Sequence, residues 1–290
     1  MAAEQPLKRI LVTGATGNIG REVVAQLRDT GCQIRALSRS PQSAHLPEDV
    51  EVVRGDLTAP DTLDACLDGV DAVFLVWLAP LAAAAAAVER IAAHAERIVL
   101  LTSPHRVAHP FFQQPNVLKP VHAGVEQLVE ASGARWTFLR PGVFALNSLG
   151  WWAPQIRKGD VVRWFYADAA TAPIDERDIA AVAVRALCGE GHDGKEYVIT
   201  GPASLTQREQ VRIIGDAVGR PLRFEELSHE AARAEMLAMM PGAIADMLLD
   251  AYAAAVGRPA YLTATVADVT GTPARTFRDW VANHAAEFVA

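Results

Sequence analysis

Apolar and polar positions alternate in blocks along the first half of the chain. Short, nearly continuous apolar runs fall at 9–13 (RILVT), 33–38 (QIRALS), 50–54 (VEVVR), 72–78, 97–102 (RIVLLT) and 136–140. Between them, apolar residues recur at three- and four-residue spacing over 19–28, 61–67, 81–95 and 122–132, where Val125, Leu128 and Val129 share a face. A strand without polar alternation needs cover on both faces, and intervening helices supply it. The pattern predicts an α/β doubly wound parallel sheet of the Rossmann type.

Beyond residue 140 the texture changes. Segments 111–120 and 148–166 read as loop-rich and aromatic, a helix returns at 178–187 and a strand at 196–200 (EYVIT). Helical stretches after Gln207 are broken by Gly219-Arg220-Pro221, Pro241-Gly242 and Gly271-Thr272-Pro273. The expected division is a dinucleotide-binding domain at 1–145, with roughly 174–200 returning to the sheet, and a smaller C-terminal substrate lobe at 146–173 and 201–290.

Composition narrows the function classes. Over 290 residues, 51% are hydrophobic and the net charge is −7, which gives no general attraction to nucleic acid. Cys32, Cys66 and Cys188 are far apart and odd in number, so neither a disulfide framework nor a zinc site is expected, and a reducing cytoplasm is the expected compartment. The first ten residues, MAAEQPLKRI, lack the apolar core of a secretory signal. The uncharged stretch 72–88 is divided by Pro80 and too short to span a bilayer, so no membrane association is expected.

The chemistry begins at Thr13-Gly14-Ala15-Thr16-Gly17-Asn18-Ile19-Gly20, which follows the first strand and opens the first helix. One glycine makes the tight turn, another lets backbone N–H groups approach a pyrophosphate, and the last packs helix on strand. The helix N-terminus adds its partial positive charge. The second strand ends in Ser38-Arg39-Ser40, where NAD sites usually place an acid. Arg39 suits a 2′-phosphate, and no carboxylate at that strand end repels it, so NADP(H) is favoured over NAD(H). Asp56, with Leu57, ends the third strand; it reads as an acceptor for the adenine amine or as a helix N-cap.

With TGATGNIG, ALSRS, RGDL and RPGVF in this order, the chain resembles the NmrA-like branch of the atypical short-chain dehydrogenase/reductases. PIDERDIAAVAVRAL, YVITGPASLT and VTGTPARTFRDWV extend the likeness over nearly the whole length. The resemblance implies an NAD(P)H-dependent oxidoreductase reducing a small carbonyl, quinone-like or conjugated molecule. It equally admits a silent NADP(H)-binding sensor, or an isomerase or cyclase built on the fold. The superfamily's Tyr-x-x-x-Lys pair is missing. Aligning His122-Ala-Gly-Val-Glu126 with the branch's Lys-x-x-x-Glu puts His122 at the lysine position and Leu118 at the tyrosine position.

Ser103, just past the fifth strand, and His122 are therefore the catalytic candidates, with Ser103 and Pro141 also beside the cofactor. A strand-end cap and a helix-surface histidine explain them as well. For the substrate, His105 and Arg106 read as an open loop near the nicotinamide, while Phe111, Phe144, Trp151 and Trp152 line a flat apolar pocket or pack as core. His105 and His109 are bracketed by Pro104 and Pro110, so no metal is expected there. A homodimer is compatible with this reading.

Overall fold

The computed structural model describes residues 8–290, so the first seven residues of the stretch considered as a signal lie outside it. The strands, in chain order, are β1 (Arg9–Val12), β2 (Gln33–Ser38), β3 (Glu51–Arg54), β4 (Ala72–Val76), β5 (Arg97–Leu101), β6 (Arg135–Pro141), β7 (Val161–Trp164), β8 (Ala170–Thr171), β9 (Lys195–Ile199), β10 (Leu205–Thr206) and β11 (Arg223–Glu226). Seven of them form one sheet in the order β3-β2-β1-β4-β5-β6-β9. The pairs β1–β2, β1–β4, β2–β3, β4–β5 and β5–β6 are all parallel. Gly194 N donates to Trp136 O and Gly142 N to Ile199 O, so β9 ascends beside β6. The order reverses between β1 and β4. Ligands bind at such a switch point, beyond the carboxyl ends of the strands.

The helices are α1 (Asn18–Arg28), α2 (Asp64–Leu67), α3 (Ala84–His94), α4 (Lys119–Ala131), α5 (Asn147–Ile156), α6 (Glu176–Cys188), α7 (Gln207–Val218), α8 (His229–Leu237), α9 (Gly242–Ala255), α10 (Thr265–Thr270) and α11 (Phe277–Val289). Helix α4 starts three residues earlier than its apolar spacing suggests. Pro120 sits in its first turn, where the missing N–H costs nothing. The region 148–166 is not loop-rich. It contains α5 and β7, and Ser148, Trp152 and Ile156 are buried at four-residue spacing despite Pro154 inside the helix.

The chain forms two compact units. The first comprises 8–103, Pro120–Arg140 and Glu176–Tyr197. Its core fills with aliphatic residues of the central strands and covering helices, among them Leu11, Val73, Leu75, Val88, Ile98, Leu100 and Val129, together with the aromatic Phe138. The second comprises Pro104–Lys119, Pro141–Asp175 and Val198–Ala290. Its core is aromatic: Trp152, Trp164, Phe165, Tyr252, Trp280 and Phe288 are all buried together. Within it β11 pairs with β7 and β10 with β8.

Trp280 is 0% exposed, stacked against Phe277 and His284 and edge-on to Phe288. Truncating a buried aromatic removes its transfer free energy and leaves a cavity. Trp280→Ala is expected to lower the unfolding free energy by about 3–5 kcal/mol in urea denaturation. A loss below about 1 kcal/mol would mean that α11 contributes little to the core.

Candidate functional site

The glycine turn is built by three steric conditions. Gly14 has φ +63°, and a Cβ there would stand 3.2 Å from the Val76 Cβ at the end of β4. Gly17 N donates to Gly14 O at 2.9 Å and closes the turn. A Cβ on Gly20 would lie 2.1 Å from Gly14 O, which no side chain can satisfy, so the start of α1 presses directly on the turn. Thr13 locks this arrangement to the switch point: its buried hydroxyl accepts from Val76 N at 2.7 Å and donates to Phe74 O at 3.2 Å. Ile19 is buried below the turn, while Thr16, Gly17 and Asn18 are exposed. No side chain caps α1, and no acid sits in its first turn. An anionic group meets backbone N–H donors and the positive end of the helix there, so the turn fits a pyrophosphate.

Next to the turn, the ends of β2 and β3 are joined by Gly55 N donating to Ser38 O at 3.1 Å. Arg39 follows β2 and is exposed. Asp56 does not cap a helix: its Oδ1 accepts from Thr58 N and Thr58 Oγ1, both at 2.8 Å, in a local turn, and Ala59 precedes the following 3₁₀ segment. The Thr58 bonds hold its carboxyl below the usual carboxylate range, and the charge of Arg39 adds to this. The carboxylate that Arg39 senses thus comes from the neighbouring strand end. Leu57 is half-buried and packs on the first unit's core.

Ser103 and His122 are brought together. His122 Nδ1 and Ser103 Oγ are 2.6 Å apart, both half-buried, one beyond β5 and one on α4. Beneath them lies a group that sequence reading does not find. Thr102 Oγ1 donates to Glu126 Oε1 at 2.9 Å, and Arg140 donates to both oxygens of the same carboxylate, at 3.1 and 2.8 Å. Glu126 is 0% and Arg140 2% exposed, and Arg140 also bonds Glu196. Burial opposes the charge on Arg140, yet the two glutamates hold its guanidinium above the ordinary arginine value. Pro141 is the buried last residue of β6. Leu118, at the expected tyrosine position, is exposed and carries no hydroxyl. The first unit's single tyrosine among the described residues, Tyr197, bonds His192 Nδ1 at 2.8 Å instead.

The second unit has a concavity lined by His109, Phe111, Phe112, Thr171, Thr200 and Tyr261 among others. None of its lining residues is Lys, Arg, Asp or Glu. His109 Nδ1 accepts from Phe111 N at 3.3 Å, and its Nε2 lies 3.1 Å from Pro259 O. Of the residues expected to line a substrate pocket, Phe111 does. The others are placed differently. His105 is buried rather than on an open loop, while Arg106 next to it is exposed. Trp152 is wholly buried in the core, Trp151 stacks on Trp164 at 5.7 Å, and Phe144 bridges Ile174. Trp151 and Trp152 belong to the second unit's aromatic core. Among the described residues no cluster of three or more His, Cys, Asp or Glu is gathered, and no helix is long and apolar enough to cross a membrane.

Fold and turn together define a dinucleotide-binding Rossmann protein of the atypical short-chain dehydrogenase/reductase type. Residues 14–189 match the NAD(P)H-binding family, and the chain belongs to it. It is 44% identical to a (4-alkanoyl-5-oxo-2,5-dihydrofuran-3-yl)methyl phosphate reductase of Streptomyces griseus, over 96% of this chain and 99% of the relative. It is 37% identical to an NAD(P)H azoreductase of Xenophilus azovorans, over 97% and 99%. The Escherichia coli NADPH-dependent quinone oxidoreductase QOR2 in complex with NADPH superposes with a TM-score of 0.80 at 25% identity, covering 94% of this chain and 99% of that one. The chain is an NAD(P)H-dependent oxidoreductase.

Arg39→Ala tests the cofactor side of the site. Removing a charge-assisted contact to the 2′-phosphate is expected to weaken NADPH about 10- to 100-fold and leave NADH unchanged, as read by fluorescence titration. Equal weakening of both nucleotides would assign Arg39 a structural role.

Proposed function

We propose that this reductase passes hydride to an uncharged, flat, conjugated acceptor, a quinone or an enone, with Ser103 and His122 serving the acceptor oxygen. The observation that carries this is the 2.6 Å contact between Ser103 and His122 at the end of β5. Bound NADPH supplies the hydride. Ser103 and His122 hold one proton between them, and that proton meets the negative charge that develops on the acceptor oxygen. A conjugated acceptor spreads this charge over its π system. It therefore asks less of its proton donor than a simple ketone does, which suits a chain without the superfamily's tyrosine.

The Streptomyces griseus relative, by its name, acts on a phosphate ester. Taken by itself, the concavity of the second unit is lined by aromatic rings and hydroxyls and by no Lys, Arg, Asp or Glu, a lining that suits an uncharged ring better than a phosphate.

NADPH oxidation measured with uncharged naphthoquinones and enones is expected to show steady turnover. His122→Ala should lower kcat roughly 100-fold, and Ser103→Ala roughly 10-fold. Tight NADPH binding without turnover on any member of that panel would overturn the assignment.

A further inference from the structure

The Ser103–His122 contact is one of two rungs between the same pair of elements. Thr102 and Ser103 are adjacent at the end of β5, and their partners Glu126 and His122 are four residues apart on α4, hence one turn apart on one helix face. The inner rung is closed into a ring across three elements. Thr102 N donates to Leu139 O at 2.8 Å, Arg140 follows Leu139 on β6, Arg140 grips both oxygens of Glu126, and Glu126 accepts from Thr102 Oγ1.

We infer that Thr102, Glu126 and Arg140 are positioning residues for the Ser103–His122 pair, setting the rotation and axial register of α4 against the ends of β5 and β6. An ion pair buried to this degree is a poor device for stability alone, because desolvation consumes most of the Coulomb gain and apolar side chains of similar volume pack at least as well. What it adds is direction. Apolar contacts are non-directional and tolerate a small slide, whereas hydrogen bonds weaken steeply when misaligned. The two-point grip of Arg140 fixes the rotation of the Glu126 carboxylate and leaves Oε1 facing the Thr102 hydroxyl. One turn along α4, the same constraint holds His122 Nδ1 at bonding distance from Ser103. A displacement of the order of 1 Å at a reactive pair costs roughly 100-fold in rate. This inference rests on the role proposed above for Ser103 and His122.

The test is Thr102→Val, which removes one hydroxyl and keeps the shape, with Thr102→Ser as the restoring variant. With a 1,4-naphthoquinone as acceptor, Thr102→Val is expected to lower kcat roughly 10- to 100-fold while NADPH affinity by fluorescence stays unchanged, and Thr102→Ser to recover the loss. Histidine-labelled protein adds a readout independent of turnover: the His122 ring resonances should move in Thr102→Val and return in Thr102→Ser. Should the valine variant fail to fold, Glu126→Gln keeps the acceptor for Thr102 but loosens the Arg140 grip, and carries the same expectations. Wild-type kcat with unmoved His122 resonances in the folded variant overturns the inference. Moved resonances with no turnover in any form, wild type included, would uphold the positioning and remove the reductive role of the pair.

Discussion

The constraint on which the site depends is the contact between two glycines, Gly14 and Gly20. Helix α1 can start where it does only because nothing stands on the Gly20 Cα, which faces the Gly14 carbonyl at a distance no Cβ survives. Gly14 in turn takes a left-handed conformation over Val76 at the end of β4. Thr13 ties the same two strands through its hydroxyl. The turn, the switch point of the sheet and the uncapped start of α1 are therefore one object. A helix displaced by a methyl group would still be a helix, but its N–H groups would no longer converge where a diphosphate lies.

This arrangement lets an acidic chain hold a polyanion. The net charge of −7 gives no long-range attraction to phosphate. Affinity has to come from local donors: backbone N–H groups at the turn, the helix dipole, and Arg39 at the end of β2. The charge of Arg39 reaches Asp56 only weakly, and the Asp56 carboxyl is already satisfied by Thr58 N–H and hydroxyl. An aspartate so engaged is held in place by its own turn and competes weakly for the guanidinium. On the reading that Arg39 meets a 2′-phosphate, the preference would be a property of two adjacent strand ends rather than of one residue.

Local regularities made much of this legible. Strand β2 runs from Gln33 to Ser38 as its apolar run indicates, and the phosphate turn stands where TGATGNIG meets the first helix. These features are dictated by neighbours in sequence. Helix α5 was hidden because Gly150 and Pro154 disguise a stretch whose burial still follows helical spacing. The burial of His105 and Trp152 was not legible for a related reason: polar or aromatic character near a ligand-binding edge does not tell whether a side chain faces a ligand or the core. The Thr102–Glu126–Arg140 group was illegible because its members are 24 and 14 residues apart and meet only through the sheet. Its one trace in the sequence is a glutamate and an arginine set among otherwise apolar strand and helix faces.

The absent tyrosine draws these points together. In the superfamily a phenol and a lysine on one helix share the work of proton donation and ribose binding. Here the corresponding helix carries His122 one turn before a buried glutamate, and the hydroxyl comes from the strand instead. In the role proposed for Ser103 and His122, a proton donor split across two elements is only as good as the register between them. A tyrosine and lysine on a single helix keep their spacing whatever that helix does. Ser103 and His122 keep theirs only if α4 is pinned to β5, and a buried, directional ion pair is the kind of fastener that such a division requires. The electrostatic cost of burying Glu126 and Arg140 is then the structural counterpart of moving the hydroxyl from helix to strand.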